Sequence, residues 1–360
     1  MGIKSKFSFY KDQPLFGLDI GHSSMKVMQL EVALNNRPKI LGYGVSNYYP
    51  QNAIENGVIV NYDVLSQALH ELFSERLIGA IKTRRVACTL PTSHTFSRPM
   101  KLPAMDKKDI ADAVHLEAEQ YIPIPVDNLY IDFEIVYEGP GGIDLLVVAT
   151  PKNIIDSRTK FLQSLGLEPV ALEPTMNASA RLFSLADSSS NQPTILIDFG
   201  SVATDIAVFD KGIFVNSTVS GGSDTLTSLI SNQLGIGISE AYVYKSHYGI
   251  GSSDKLDHML MAAKPMLEAL TREVRKIIRY YLERSAGTGR KISQIVTLGG
   301  GATMRGFNEY LAEQLNLPTK GLDPWHKIDF GKLEPPSQLA RSMYVTVAGE
   351  AILRPEEIFG

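Results

Sequence analysis

Cysteine is nearly missing from this chain. The single Cys88 excludes an internal disulfide framework and every cysteine-rich metal cluster, and it fits a reducing compartment. Long apolar runs are missing too. The nearest candidate, Ile143 to Thr150, falls well short of the ~18 residues a membrane span needs and reads as a strand. Excess charge is small: 35 basic against 39 acidic residues leave −4, so no bulk field favours nucleic acid or an anionic membrane. The opening MGIKSKFSFYKDQ has no apolar core of signal-peptide length, and Lys6 stands where an acylation pattern wants Ser or Thr. A cytoplasmic chain with no membrane span of its own is expected. The absence of GxxxxGK(S/T) excludes a P-loop ATPase. Seven histidines show neither HExxH nor paired ligand spacing, and no structural zinc is expected.

What is there suffices for a large core: 360 residues, 44% of them hydrophobic, make two domains or one elaborated one. A long repeat organises them. Residues 15–31 read LFGLDIGHSSMKVMQLE and residues 194–210 read TILIDFGSVATDIAVFD. Aligned on Asp19 and Asp198, almost half the chain apart, both run apolar–Asp–apolar–Gly, then small or polar residues, a charged residue and an alternating apolar stretch. Each copy reads as a strand, a tight turn and a returning strand. Two related halves facing each other follow from that spacing.

Between the hairpins, Asn61 can cap a helix whose Val64, Leu65, Ala68, Leu69, Leu72 and Phe73 share one face. Asp106 with Asp109 opens another, carrying Ile110, Ala113, Val114 and Tyr121 and ending at Pro123 and Pro125. Strand-like runs at Leu129–Tyr137 and Ile143–Thr150 flank the turn Gly139-Pro140-Gly141-Gly142. This stretch has no counterpart in the second half, so it reads as an inserted subdomain. The expected division is 1–83, 169–190 and 338–360 for the first half, 84–168 for the insertion, and 191–337 for the second half, with 233–284 as its helical subdomain. Asp187 to Pro193 is the crossing. The clearest helix of the second half is 266–284, with Leu267, Leu270, Val274, Ile277, Ile278, Tyr281 and Leu282 as its buried stripe. Strands mixed with crossover helices make the class α/β.

The chemistry sits at the turns. Gly21, His22, Ser23 and Ser24 supply a turn whose N–H groups can point into one concavity and accept a phosphate. Asp19 at the strand end is placed to hold a hydrated Mg²⁺, which takes one or two carboxylates and keeps its waters. Lys26 can neutralise phosphate oxygens. Taken alone, Asp-Ile-Gly is an ordinary strand-end turn. The second hairpin repeats the offer with Asp198, Gly200, Ser201 and Thr204, and Asp205 occupies the place of Lys26, suited to orienting water. A third element is Gly299-Gly300-Gly301-Ala302 after an apolar strand, where backbone can lie flat against a base.

DIGHSSMK, then DFGSVATD, then LGGGA, in that order, resemble the phosphate-1, phosphate-2 and adenosine motifs of the actin, Hsp70 and sugar-kinase superfamily. LEPTMNASARL (172–182) and YVTVAGEAI (344–352) resemble its two connecting helices, and the insertion is similar to that of the cell-division protein FtsA. The SGGSDTLT stretch (220–227), with Gly221 and Gly222, looks more like the PilM family of type IV pilus assembly proteins. The resemblance implies an actin-like fold of duplicated RNase H-like halves, with ATP and Mg²⁺ between them. Asp19, Gly21, Lys26, Asp198 and Gly200 would hold phosphates and metal, the two aspartates through water, and Gly300 and Gly301 would back the adenine. Lys245 matches a ribose-contacting lysine, and Glu273 with Lys276 resembles a Glu-x-x-Lys pair beside the adenosine; unaided, these read as a solvated helix face with an ion pair. Glu173 matches the position that orients attacking water in hydrolysing relatives, or caps the next helix. Val202 in the phosphate-2 turn narrows the approach to a γ-phosphate, so at most slow ATPase turnover is expected. The resemblance also implies a partner, the cytoplasmic N-terminal tail of PilN, held in a groove beside the inserted subdomain, and through it the inner-membrane platform of the pilus; the candidate surface is 84–168 with its junction to the first half. Self-association stays open. The rival readings are a sugar or acetate kinase of the same fold and an FtsA-like polymer.

Overall fold

The computed structural model describes residues 13–354, apart from 33–36, 50–52, 140, 188, 190, 251–255 and 286–288, together with Ile358. The N-terminal MGIKSKFSFYKD, Pro140 of the insertion's turn, and Ser188 and Ser190 of the crossing lie outside these residues.

Both hairpins form, and each seeds a sheet of the same design. In the first, β1 (Phe16–Ile20), β2 (Ser24–Glu31) and β3 (Lys39–Asn47) make an antiparallel meander. A two-residue hairpin, β4 (Ile54–Glu55) and β5 (Val58–Ile59), helix α1 (Tyr62–Glu71) and the short β6 (Ile78–Gly79) follow. Then β7 (Arg85–Leu90) returns parallel to β1. The insertion is a separate sheet of β8 (Phe96–Leu102), β9 (Leu129–Gly139) and β10 (Gly142–Pro151), with α2 (Lys107–Ala118) packed on it through Ile110 and Val114. After α3 (Lys152–Ser164), β11 (Glu168–Pro174) adds parallel to β7 and runs into α4 (Thr175–Ala186).

The second half repeats the meander as β12 (Thr194–Phe199), β13 (Ala203–Phe209) and β14 (Ile213–Ser220). Helices α5 (Ser223–Leu234), α6 (Ile238–Tyr248) and α7 (Leu256–Ser285) lead to β15 (Gln294–Leu298), parallel to β12. Helix α8 (Phe307–Leu315) leads to β16 (Thr319–Gly321), parallel to β15, and the short α9 (Gln338–Arg341) follows. The sheet orders are β11-β7-β1-β2-β3 (with β6 at the far edge) and β14-β13-β12-β15-β16, the same topology twice.

The helix expected at 266–284 is longer, because its stripe continues upstream through Met259, Ala262 and Ala263 into the same buried cluster, past Pro265. Leu282, expected on the stripe, is 41% exposed; it falls on the helix flank next to Tyr281, which takes the buried position.

One core ties the halves together. Met28, Ile40 and Tyr43 of the first sheet, Leu196, Ala207, Val296 and Leu298 of the second, and apolar residues of α4 and α10 (Val345–Ala351) form a single cluster. The outer faces carry their own cores, under α1 and α3 in one half and under α5, α7 and α8 in the other. The two middle helices cross almost backbone to backbone: a Cβ on Gly349 would lie 1.9 Å from the Ala178 carbonyl oxygen. Ser179 and Thr346 bond hydroxyl to hydroxyl at 3.1 Å beside that crossing. Even one methyl there forces the helices apart. Gly349→Ala is therefore expected to cost about 1–3 kcal/mol, read as a lower urea midpoint. Gly212→Ala, with nothing within 4 Å of the added carbon, should leave the midpoint in place.

Candidate functional site

The β1–β2 turn closes by Gly21 N–H donating to the Ser24 carbonyl at 3.0 Å, while the Tyr48 N–H donates to the Ser23 carbonyl at 3.0 Å. The Tyr48 hydroxyl donates to the Gly21 carbonyl. His22 is exposed at the tip, with Ser23 and Ser24 half-buried. Asp19 and Lys26, opposite each other in register, form an ion pair: Nζ to Oδ2 is 2.9 Å, and both are largely buried. The other carboxylate oxygen accepts from Thr89 Oγ1 at 2.9 Å, and that hydroxyl in turn accepts the Ile20 N–H at 3.2 Å. Thr89 comes from β7, far along the chain, and nothing local in the sequence marks it.

The second turn is built from three loops. Gly200 N–H donates to the Ala203 carbonyl at 3.1 Å. The Ser223 and Asp224 N–H groups donate to the carbonyls of Gly200 and Ser201, both at 2.8 Å, which brings the 220–224 loop onto the hairpin. Gly221 sits at φ +117°, its N–H on the Val202 carbonyl, and a Cβ on Gly222 would come within 2.4 Å of the Gly200 oxygen. Glycine is required at both positions. The glycine run closes from the other side: Gly299 has φ +86° and a Cβ there would lie 2.2 Å from Asp198 Oδ1, while one on Gly301 would meet the Phe199 ring at 2.5 Å. Gly300 faces open space. A cavity of about 880 Å³ opens beyond Gly301, between Thr303, Met304, Arg305, Trp325, Gln338 and Arg341. The hairpin aspartates do not line it.

The two turns share one electrostatic space. Asp198 feels Asp19 and Lys26 from the opposite half. Burial pushes its carboxyl up to about 7, repulsion from Asp205 and then Asp19 adds to this, and Lys26 opposes it. Asp205, opposite Asp198 across the hairpin, is pushed up to about 6 by burial, while a hydrogen bond from the Thr218 hydroxyl lowers it. Three acids with one ammonium leave the concavity short of positive charge.

The other candidates are engaged elsewhere. Lys245 reaches the start of α5, donating to Ser223 O, Ser223 Oγ and Thr227 Oγ1 at 2.7, 2.6 and 2.7 Å. It braces the loop that braces the second turn. Glu273 accepts from Ser217 Oγ at 2.7 Å and pairs with Lys276 at 3.1 Å; among the described residues no hydrogen bond or ion pair links this pair to the turns. Glu173 does not cap α4; Arg181 grips its carboxylate through both terminal nitrogens, the second at 2.7 Å.

A sequence model of the family described as type IV pilus assembly protein PilM matches residues 17–354. The chain belongs to that family. It is similar to a chain of the solved PilM–PilN type IV pilus biogenesis complex, with a TM-score of 0.79 at 22% identity, over 94% of this chain and 98% of that one. It is also similar to cell division protein FtsA of Neisseria meningitidis, 23% identical over 345 residues, covering 84% of this chain and 82% of FtsA. MreB5 of Spiroplasma citri, solved bound to ADP, matches with a TM-score of 0.52 at 14% identity, over 94% of this chain and 95% of MreB5. The PilM-family fold is thus actin-like, as the three motifs imply.

Asp198 gives a pH signature with a definite sign. Its unfolded value is near 3.9, so between roughly pH 4 and 7 the folded chain holds a proton that the unfolded chain releases, and stability falls as pH rises through that window. Asp198→Asn has no such proton. In metal-free protein its melting temperature, relative to wild type, should be higher at pH 8 than at pH 5; a difference that does not change with pH would mean Asp198 is ionised in the fold.

Proposed function

We propose that this chain is an ATP-binding, actin-like scaffold of type IV pilus assembly, which grips Mg-ATP between its two hairpin turns and docks the cytoplasmic N-terminal tail of PilN at the inner membrane. One observation carries the nucleotide part: Asp198 and the Asp19–Lys26 pair, from opposite halves, lie within each other's field beside turns built for close approach. Fold alone would not license this, since the same architecture serves many chemistries. The turns do, because their small residues and N–H groups suit an anion and their uncompensated carboxylates suit a cation.

A magnesium ion fits that charge balance. Among the described residues no three His, Cys, Asp or Glu side chains converge tightly enough to hold a metal directly. Water-mediated binding by Asp19 and Asp198 is the arrangement expected of Mg²⁺, which would neutralise phosphate charge. Lys26 would supply one fixed positive charge to the phosphates; the Gly21 and Gly200 N–H groups close their own turns, so the amide donors would be those of His22, Ser23 and Ser201, and Asp205 would orient water. Gly299–Gly301 supply a flat backbone wall, with room beyond them for a base. Lys245, Gly221 and Gly222 hold the second turn in shape. Glu173, the carboxylate that the family resemblance assigns to the attacking water, is committed to Arg181, which supports binding with slow turnover.

Within 84–168, β9 is the open edge of its sheet and leaves Tyr130, Ile135, Val136 and Tyr137 exposed, and α2 exposes Leu116. An extended tail can add to such a region through main-chain bonds and apolar anchors. No helix among the described residues is long and apolar enough to cross a membrane, so recruitment falls to the partner.

Asp19→Ala and Asp198→Ala should each weaken Mg-ATP binding tenfold or more, about 1.4 kcal/mol, by calorimetry; unchanged affinity in both defeats the cleft. Turnover above about 1 s⁻¹ with sugars or acetate would favour the kinase reading instead. Hydrogen exchange with a PilN tail peptide should protect amides within 84–168, and protection confined to 191–337 would exclude docking there.

A further inference from the structure

The most deeply buried acid with no part in the scheme above is Glu350 of α10, fully inaccessible to solvent. Its stem lies against β1, where a Cβ on Gly17 would stand 2.8 Å from the Glu350 Cβ. No donor among the described residues reaches either of its carboxyl oxygens. What it faces is a second acid, Glu173, at the end of β11 and close enough for a side-chain hydrogen bond.

Two carboxylates accept only; a bond between them needs one proton. The proton's place follows from the neighbours. Glu173 is held by the Arg181 guanidinium in a two-pronged pair, so it is the ionised member. Glu350 has no donor and no cation of its own, so it is the acid. Arg181 from α4 also donates to the Gly349 carbonyl at 3.1 Å, one residue before Glu350, and thereby bridges both middle helices. The charged groups that act on Glu350 are Glu173 from β11, Arg181 from α4 and Asp19 from β1; the buried thiol of Cys88 on β7 lies in the same field.

We propose that Glu350 donates a hydrogen bond to the Glu173 carboxylate and so serves as a positioning residue, locking the Glu173–Arg181 pair where the two connecting helices cross. Burial first, then repulsion from Glu173, raises the Glu350 carboxyl well above the ordinary range, and Arg181 opposes this. The lock matters to the cleft because α10 packs against β1, the strand that carries Asp19 near its end, and Glu173 lies two residues before the start of α4. That consequence rests on the nucleotide reading above; the hydrogen bond does not.

The test uses the full chain and two variants. Glu350→Gln keeps a donor of the same shape without a titrating proton, and Glu350→Ala removes it. Infrared spectra of the wild type at pH 8 should contain the carbonyl stretch of a protonated carboxylic acid, and Glu350→Gln should lose it. Wild-type melting temperature should fall as pH rises above the unfolded Glu value near 4.3, because the folded state alone holds that proton; Glu350→Gln should flatten this fall. Mg-ATP affinity should stay within twofold in Glu350→Gln and drop at least fivefold in Glu350→Ala. A wild-type spectrum without the band, or a band that Glu350→Gln leaves in place, overturns the proposal, as does equal loss of affinity in the two variants. If the band and the pH slope behave as expected but the wild type binds no nucleotide, the hydrogen bond stands and the nucleotide reading fails.

Discussion

Everything in this molecule hangs on the close crossing of α4 and α10. The inner faces of both sheets rest on these helices, and Gly349 against the Ala178 carbonyl sets how near they come. Because the same sheet design is laid down on either side, the crossing fixes where two identical features end up. The strand ends carrying Asp19 and Asp198 are brought to one space, so closely that Asp19 adds to the rise in the proton affinity of Asp198. A looser crossing would leave two ordinary strand-end turns.

Much of this was legible before any coordinates. The repeat around Asp19 and Asp198 could be read because turns have strict local chemistry: a glycine after a strand-end aspartate, then small residues, then alternation. The same holds for Gly221 and Gly299, whose positive φ values demand glycine. Asn61 caps α1 as its position suggests, through Asp63 N–H. Helix ends were less legible. The start of α7 lies upstream of Pro265 because burial of Met259 and Ala263 outweighs the proline's local preference.

What escaped was everything that depends on a distant partner. Thr89 sits in VACTL, an unremarkable buried strand, and becomes part of the site only because β7 lies parallel to β1. Lys245 and Glu273 look alike from sequence, charged residues on helices, yet one is buried in three hydrogen bonds and the other lies against β14 with its own lysine. Glu173 is similar: only the fold reveals that Arg181, two turns into the next helix, claims it.

The exchange of Lys26 for Asp205 between the halves sets the charge of the space the two turns share. If both turns carried lysine, the concavity would be neutral or positive and an anion alone would satisfy it. If both carried aspartate, four acids would face one another and the halves would repel. With one of each, the first half is balanced within itself, Asp19 against Lys26, and the whole deficit falls on the half-buried pair Asp198 and Asp205. Burial keeps water from screening that deficit. A proton can meet it at the expense of stability above neutral pH. A hydrated divalent cation would cancel it in full and leave the concavity near neutral. On the proposed nucleotide reading, the cation would therefore have to accompany a polyphosphate, since without it phosphate would meet a net negative concavity.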